Sequence, residues 1–275
     1  MPNNEDGINS MHPGNSSALN DIYSSIKRSS LIGLLGWQDV RQRYKRSALG
    51  PFWLTISMGV MIGTMGLVFG NIFNATLYDF LPFLSLGIIF WTFLSSSINE
   101  NCTAFIAGEG IIKQLPIPLF VHIARVIWRN LLILAHNIVI FPAVLIAVGR
   151  PVDWLVLLSI PALVLTIVNV AWISLLLATV CARYRDLPQI VGSLLQVMFY
   201  LTPIMWMPNL LDDEKVFFLL QLNPLFHVLD ILRSPLMGET PDAVSWYVCI
   251  STAVIGWIFT LYFYSKYKQR IAYWL

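Results

Sequence analysis

Residues 52–73 read FWLTISMGVMIGTMGLVFGNIF, 22 consecutive positions without an Asp, Glu, Lys or Arg. A helix of that length rises about 33 Å, enough to cross the roughly 30 Å hydrocarbon core of a bilayer. Five further charge-free stretches follow, at 80–98, 130–148, 154–181, 190–207 and 244–264. In lipid every backbone N–H and C=O must be satisfied internally, which a helix does within one segment. The sequence therefore predicts an all-α integral membrane protein with six transmembrane helices.

Composition agrees. The chain has 275 residues, 57% hydrophobic and 12% charged, against roughly 25% charged in soluble domains. That excludes an ordinary water-soluble protein, and so much apolar surface excludes a disordered one. A net charge of +2 gives no basic field, so nucleic acid is not an expected partner. Cys102, Cys181 and Cys249 show neither CxxC nor His-paired spacing, which argues against a zinc site or a disulfide framework. The first 20 residues are polar and lead into no apolar signal region, so the N-terminus is expected to stay in the cytoplasm.

Charge placement orients the spans. With the N-terminus inside, 14 of the 17 Lys and Arg residues fall in cytoplasmic segments, leaving Arg150, Lys215 and Arg233 outside. This positive-inside bias puts both termini in the cytoplasm. Ahead of the first span, Leu19, Ile22, Tyr23 and Ile26 recur at helical spacing opposite Asp21, Ser24, Ser25, Lys27 and Arg28. They predict an N-terminal amphipathic interface helix lying on the membrane surface. A second apolar cluster, Leu31 to Trp37, is too short to span and reads as a surface anchor.

Within the first span, Gly59, Gly63, Gly66 and Gly70 share one helix face. Such a stripe serves intramolecular contact, a subunit contact or a pore wall alike. Between spans five and six, Pro208, Asp212, Asp213 and Glu214 precede two short apolar runs, Val216 to Leu222 and Leu225 to Leu232, separated by Asn223 and Pro224. Both runs predict short re-entrant or interfacial helices on the outer side.

The six stretches hold no acidic or basic side chain, and His136 is their only titratable imidazole. An ion-coupled pump would normally carry ionisable groups there, so if this is a transporter, its energy must come from elsewhere. No GxxxxGK[ST] loop cradles a nucleotide, and no nucleophile with a base and an orienting group can be assembled. Asp212, Asp213 and Glu214, the one acidic cluster, read as a solvated loop, with metal-dependent chemistry as the minority reading. Aromatics crowd spans one, two and five. They fit either interfacial belts or ring faces for sugars in a pore, the latter set being Phe52, Trp53, Phe69, Phe73, Phe199 and Tyr200.

Four motifs point to a family. Residues 37–53, WQDVRQRYKRSALGPFW, precede the first span, and 109–118, EGIIKQLPIP, lie between spans two and three. Arg183-Tyr184-Arg185-Asp186-Leu187 follow span four, and Thr202-Pro203-Ile204 is followed by Asn223-Pro224-Leu225 and Arg233. In order, spacing and topology over about residues 31–270, these resemble the membrane subunits of type-two ABC exporters of polysaccharides and polyol phosphates. That group includes O-antigen, capsule and teichoic-acid permeases. Gln114 and Ile117 depart from the Lys and Phe of many relatives.

The resemblance implies a cytoplasmic tail and interface helix over 1–51 and a six-span type-two ABC transmembrane domain over 52–270. It implies a homodimer docked on two copies of a separate cytoplasmic ABC ATPase, in a bacterial inner membrane, moving a lipid-linked glycan. This chain would bind no cofactor and catalyse no covalent step; ATP and Mg would belong to the ATPase. Glu109, Gly110, Ile111, Ile112, Lys113 and Gln114 would form the coupling helix. Arg41, Arg43, Lys45 and Arg46 would receive the lipid diphosphate, since guanidinium groups contact phosphate bidentately. Pro203, Pro208, Asn223, Pro224 and Arg233 would shape an outer gate. Rival readings are an exporter of a lipid or drug, a membrane enzyme acting on polyprenyl-linked sugars, and a passive scaffold.

Overall fold

The computed structural model describes residues 18–44, 52–208 and 220–275. Those residues are mostly helical, with no β-strand among them. The order is α1 (Ala18–Lys27), α2 (Ser29–Tyr44), α3 (Phe52–Ile72), α4 (Leu77–Cys102), α5 (Ala104–Ala107), α6 (Glu109–Gln114), α7 (Phe120–Asn137), α8 (Ile140–Val148), α9 (Ser159–Arg183), α10 (Leu187–Leu201), α11 (Pro224–Arg233) and α12 (Ala243–Trp274).

Five helices are long and apolar enough to cross a membrane: Phe52–Ile72, Leu77–Cys102, Phe120–Val148, Trp154–Arg183 and Ala243–Trp274. The stretch expected as span five differs. There α10 has 15 residues and stops at Leu201, a length of about 22 Å. Pro203 is the reason, because the residue before a proline is pushed out of the α region and Thr202 is extended, with ψ 138°.

The third span also starts earlier than expected, at Phe120 rather than Asn130, and runs through Arg125 and Arg129. Its break at Ile138–Val139 fits Pro142, whose ring clashes with the carbonyl four residues back. The spans are therefore not free of charge, since Asp79 and Glu100 lie on α4 and both arginines on α7.

Helix α4 is the hub. Phe80, Leu84, Leu86, Ile89 and Phe93 are buried on it, and it contacts α3, α7, α8, α9, α10 and α11. In contrast, α3 and α10 present largely exposed faces, and α10 has no buried residue. The glycine stripe divides along α3. A Cβ on Gly66 would lie 2.3 Å from Leu81 Cδ1, and one on Gly70 3.3 Å from Leu77 Cδ2, while Gly59 and Gly63 face open space. Half of the stripe thus seats α4, as small residues do where helices cross closely.

The N-terminal helix turns its polar face to the protein. In α1, Asp21 and Ser25 are buried while Leu19, Tyr23 and Ile26 are exposed. Asp21 sits at the start of α7, accepting hydrogen bonds from the Leu119 and Phe120 amides at 3.3 and 3.0 Å. Those amides have no partner within their own helix, and the positive end of a helix dipole favours an anion there.

Candidate functional site

A groove of about 420 Å³ lies between α4 and α10, lined by Trp91, Ser95, Ser96, Asn99, Gly192, Leu195, Gln196, Phe199 and Tyr200. Helical spacing builds it. On α4, Trp91, Ser95 and Asn99 recur every four residues; on α10, Gly192, Gln196 and Phe199 or Tyr200 do the same, so each set shares one face. The rings form a cluster, with Trp91 and Phe199 centroids 5.8 Å apart and Phe199 and Tyr200 edge to face at 5.3 Å. No charged side chain lines the groove. Of the six aromatics expected to face sugars, Phe199 and Tyr200 line it.

The other four stand elsewhere. Phe69 and Phe73 stack at 5.9 Å, with Phe73 against Phe80 on α4. Phe52 meets His136 edge-on at 6.4 Å, and Trp53 is exposed at the start of α3. His136 Nδ1 lies 2.7 Å from the Leu132 carbonyl oxygen, a local contact on its own helix.

Beyond α10 the chain turns sharply, and the last sequence motif closes on itself. Asn223 Nδ2 donates to Thr202 Oγ1 at 2.9 Å, while Asn223 Oδ1 accepts the Leu225 backbone amide at 3.0 Å. One side chain thus caps α11 and ties it to the turn, and Pro224 occupies the helix start, where its missing N–H costs nothing. Arg233 Nη1 donates to the Pro203 carbonyl at 2.9 Å, and its guanidinium lies 3.7 Å from the centre of the Phe83 ring. Pro203, Asn223, Pro224 and Arg233 therefore meet in one structure, with Pro208 just after the turn. Asp212, Asp213 and Glu214 lie outside the described residues.

At the opposite end, α6 lies at the surface, with Ile112 packed against the core. None of its residues is buried, and Lys113 Nζ donates to Glu109 Oε1 at 2.7 Å along the helix. That hydrogen bond, with the Lys113 charge, holds the Glu109 carboxyl below its ordinary range. Beside it a cluster of ionic groups joins three helices. Arg125 pairs bidentately with Asp39, with Nε–Oδ2 at 2.6 Å, and Arg129 reaches Asp39 Oδ2 at 3.3 Å and Glu100 Oε2 at 2.6 Å. Arg41 is exposed on the last turns of α2, which also carry Arg43. Lys45 and Arg46 lie outside the described residues.

The model of the ABC-2 type transporter family matches residues 30–237, most of the chain. The chain belongs to that family. Among curated proteins, two from Klebsiella pneumoniae named O-antigen export system permease protein RfbA are similar to it. One is 24% identical over 249 residues and the other 26% over 245, each alignment covering 88% of this chain and 93% of the relative. A protein of the same name from Myxococcus xanthus is 23% identical over 203 residues, 74% of this chain and 78% of the relative.

As an ABC-2 type permease with several apolar helices, the chain is a multi-pass membrane protein, and the family implies an ABC ATPase partner. Sequence reasoning passed over Asp39, Glu100, Arg129 and Asp21 as structural ties. Asp39 was in view within the 37–53 motif, but nothing in a single sequence pairs it with Arg125, 86 positions away. Trp91, Asn99 and Gln196 were legible only as spacing on two separate helices.

Proposed function

We propose that this chain is the permease subunit of an ATP-driven exporter that moves a lipid-linked polysaccharide, O-antigen-like or capsular, from cytoplasm to periplasm. Two copies form the pore, with α10 as the short sixth crossing and α3 and α10 facing the partner copy. Both termini lie in the cytoplasm of a bacterial inner membrane. The Glu109 to Gln114 helix docks in the ATPase, which binds ATP and Mg. Arg41 and Arg43, with Lys45 and Arg46, receive the lipid diphosphate. The hairpin of Pro203, Pro208, Asn223, Pro224 and Arg233 gates the outer side.

The observation that carries this reading is the groove of Trp91, Ser96, Asn99, Gln196, Phe199 and Tyr200. Aromatic faces accept the C–H faces of successive sugars, and amides and hydroxyls exchange hydrogen bonds with sugar hydroxyls without binding them tightly. Nothing ionic holds the chain in place, as conduction requires sites weak enough to leave. The exposed α6 supports the division of labour, since an unburied helix at the cytoplasmic end is available to a partner.

Purification of the tagged chain from native membranes tests the reading. A stoichiometric P-loop ATPase, stimulated by the chain, together with loss of surface glycan when the chain is deleted, is the expected result. Metal-dependent turnover of a polyprenyl-linked sugar by the chain alone would overturn it.

A further inference from the structure

We infer that Arg129 is a positioning residue that carries a displacement of the 103–114 segment to the basic helix α2. This rests on the reading of α6 as the element that couples to the ATPase. Arg129 is bonded to carboxylates on two different helices, Asp39 Oδ2 of α2 at 3.3 Å and Glu100 Oε2 of α4 at 2.6 Å. Arg125, by comparison, pairs with Asp39 and so docks α2 on α7 whatever α4 does. Arg129 thus links α2 to the end of α4, where Glu100 Oε2 also accepts Asn130 Nδ2 of α7 at 2.8 Å.

The end of α4 is continuous with the coupling segment. Thr103 donates its amide and hydroxyl to the Glu100 carbonyl at 3.3 and 3.1 Å, so Glu100 sits on the turn from which α5 and α6 depart. Gly108, immediately before α6, is pressed on α7: a Cβ there would lie 2.7 Å from His122 Nδ1. His122 is buried. A push on α6 therefore reaches α7 through Gly108 and α4 through Thr103, and the two meet at Arg129.

Space for rearrangement exists at that meeting point. Asp39, Glu100, Gly108, His122, Arg125 and Arg129 border a cavity of about 210 Å³, whereas close-packed interiors resist displacement. One guanidinium with two carboxylates at unequal distances has two arrangements: held mainly by Glu100, as here, or moved toward Asp39 when Glu100 is drawn away. A residue with two discrete arrangements, biased from one end, transmits motion to the other. On the far side α2 follows, because Gly36 lies against Trp128 and Asp39 is held by both arginines, and α2 ends in Arg41 and Arg43.

Pulsed electron paramagnetic resonance on the complex of this chain with its ATPase in lipid nanodiscs tests the inference. Spin labels go at Gln42 on α2 and at exposed Leu157, at the start of the fourth span and away from the 103–114 segment, in a background with the three cysteines replaced by alanine. Wild type should show a shift in the 42–157 distance when a non-hydrolysable ATP analogue is added. In Arg129→Gln the shift should be lost while the complex still assembles. Arg129→Lys, which keeps the charge but not the two-pronged geometry, should show a reduced shift and covers the case in which the glutamine variant fails to fold. A wild-type shift in Arg129→Gln overturns the inference. An unmoving distance in wild type that binds ATPase and exports glycan overturns it too, leaving the permease reading intact. A wild-type chain with no associated ATPase removes that reading, and the inference falls with it.

Discussion

The Tyr264 hydroxyl donates to Asp21 Oδ2 at 3.0 Å, joining residues 243 positions apart. The same carboxylate takes the Leu119 and Phe120 amides and pairs with Lys268 Nζ at 3.0 Å. Three helices, α1, α7 and α12, thus share one buried anion. Removing it takes away the Lys268 ion pair and the acceptor of two helix-end amides, and breaking a mostly buried pair in this way costs about 3 kcal/mol. Asp21→Ala should lower the melting temperature in detergent by several degrees and expose α1 to proteolysis. Tyr264→Phe, which loses one hydrogen bond, should cost about 1 kcal/mol. Equal melting temperatures for Asp21→Ala and wild type would show that α1 is not held by this carboxylate.

This tie also shows what a sequence can and cannot say about such a chain. Leu19, Ile22, Tyr23 and Ile26 announce a helix by their period, and α1 is that helix. Which face turns inward was not legible, because in lipid the apolar face has no reason to seek the protein, and Asp21 gains more from the end of α7 than from water. Span edges failed for a related reason. A charge-free window ends at Arg129, yet paired arginines can remain within a helix, so α7 begins at Phe120. The four motifs located the turn of Thr202 and Pro203 and the cap at Asn223, since proline and asparagine act locally. The groove needed two helices brought side by side, which local pattern does not specify.

The groove separates a stabilising ring from a contacting one. Trp91 is 7% exposed and Tyr200 65% exposed. Trp91→Ala empties a packed position and should cost about 3 to 5 kcal/mol. Tyr200→Ala should leave the melting temperature unchanged and slow export several-fold, at about 1 kcal/mol for a lost stacking face. Surface glycan measured over time after induction reads the rate. Export at the wild-type rate in Tyr200→Ala would return Tyr200 to the role of a lipid-facing ring.

On α6 the prediction runs the other way round, toward association without stability. Glu109 and Lys113 pair in the open, with side chains 41% and 46% exposed, and such pairs contribute little because water screens them. Glu109→Ala with Lys113→Ala should therefore melt like wild type. Co-purification of the ATPase should fall sharply, since the exposed face of α6 is what a partner would grip. Retained stoichiometric ATPase in the double variant would move the docking surface elsewhere.

Arg233 sets the last test, because it is buried and still charged. Its Nη1 donates to the Pro203 carbonyl and its plane lies on Phe83, so the side chain pins the end of α11 to the turn after α10. A lysine carries the charge but cannot both stack on a ring and reach the carbonyl in that plane. Arg233→Lys should cost about 2 kcal/mol through the lost cation–π contact and the weakened charged hydrogen bond. Asn223→Ala removes the cap of α11 and the bond to Thr202 at once, at about 1 to 2 kcal/mol. If the turn and α11 act as a gate, a cross-link between them should stop export without preventing ATP binding, and cysteines placed at Thr202 and Asn223, whose side chains lie 2.9 Å apart, provide the test. Export unchanged by an efficient cross-link would leave Arg233 and Asn223 as structural ties alone.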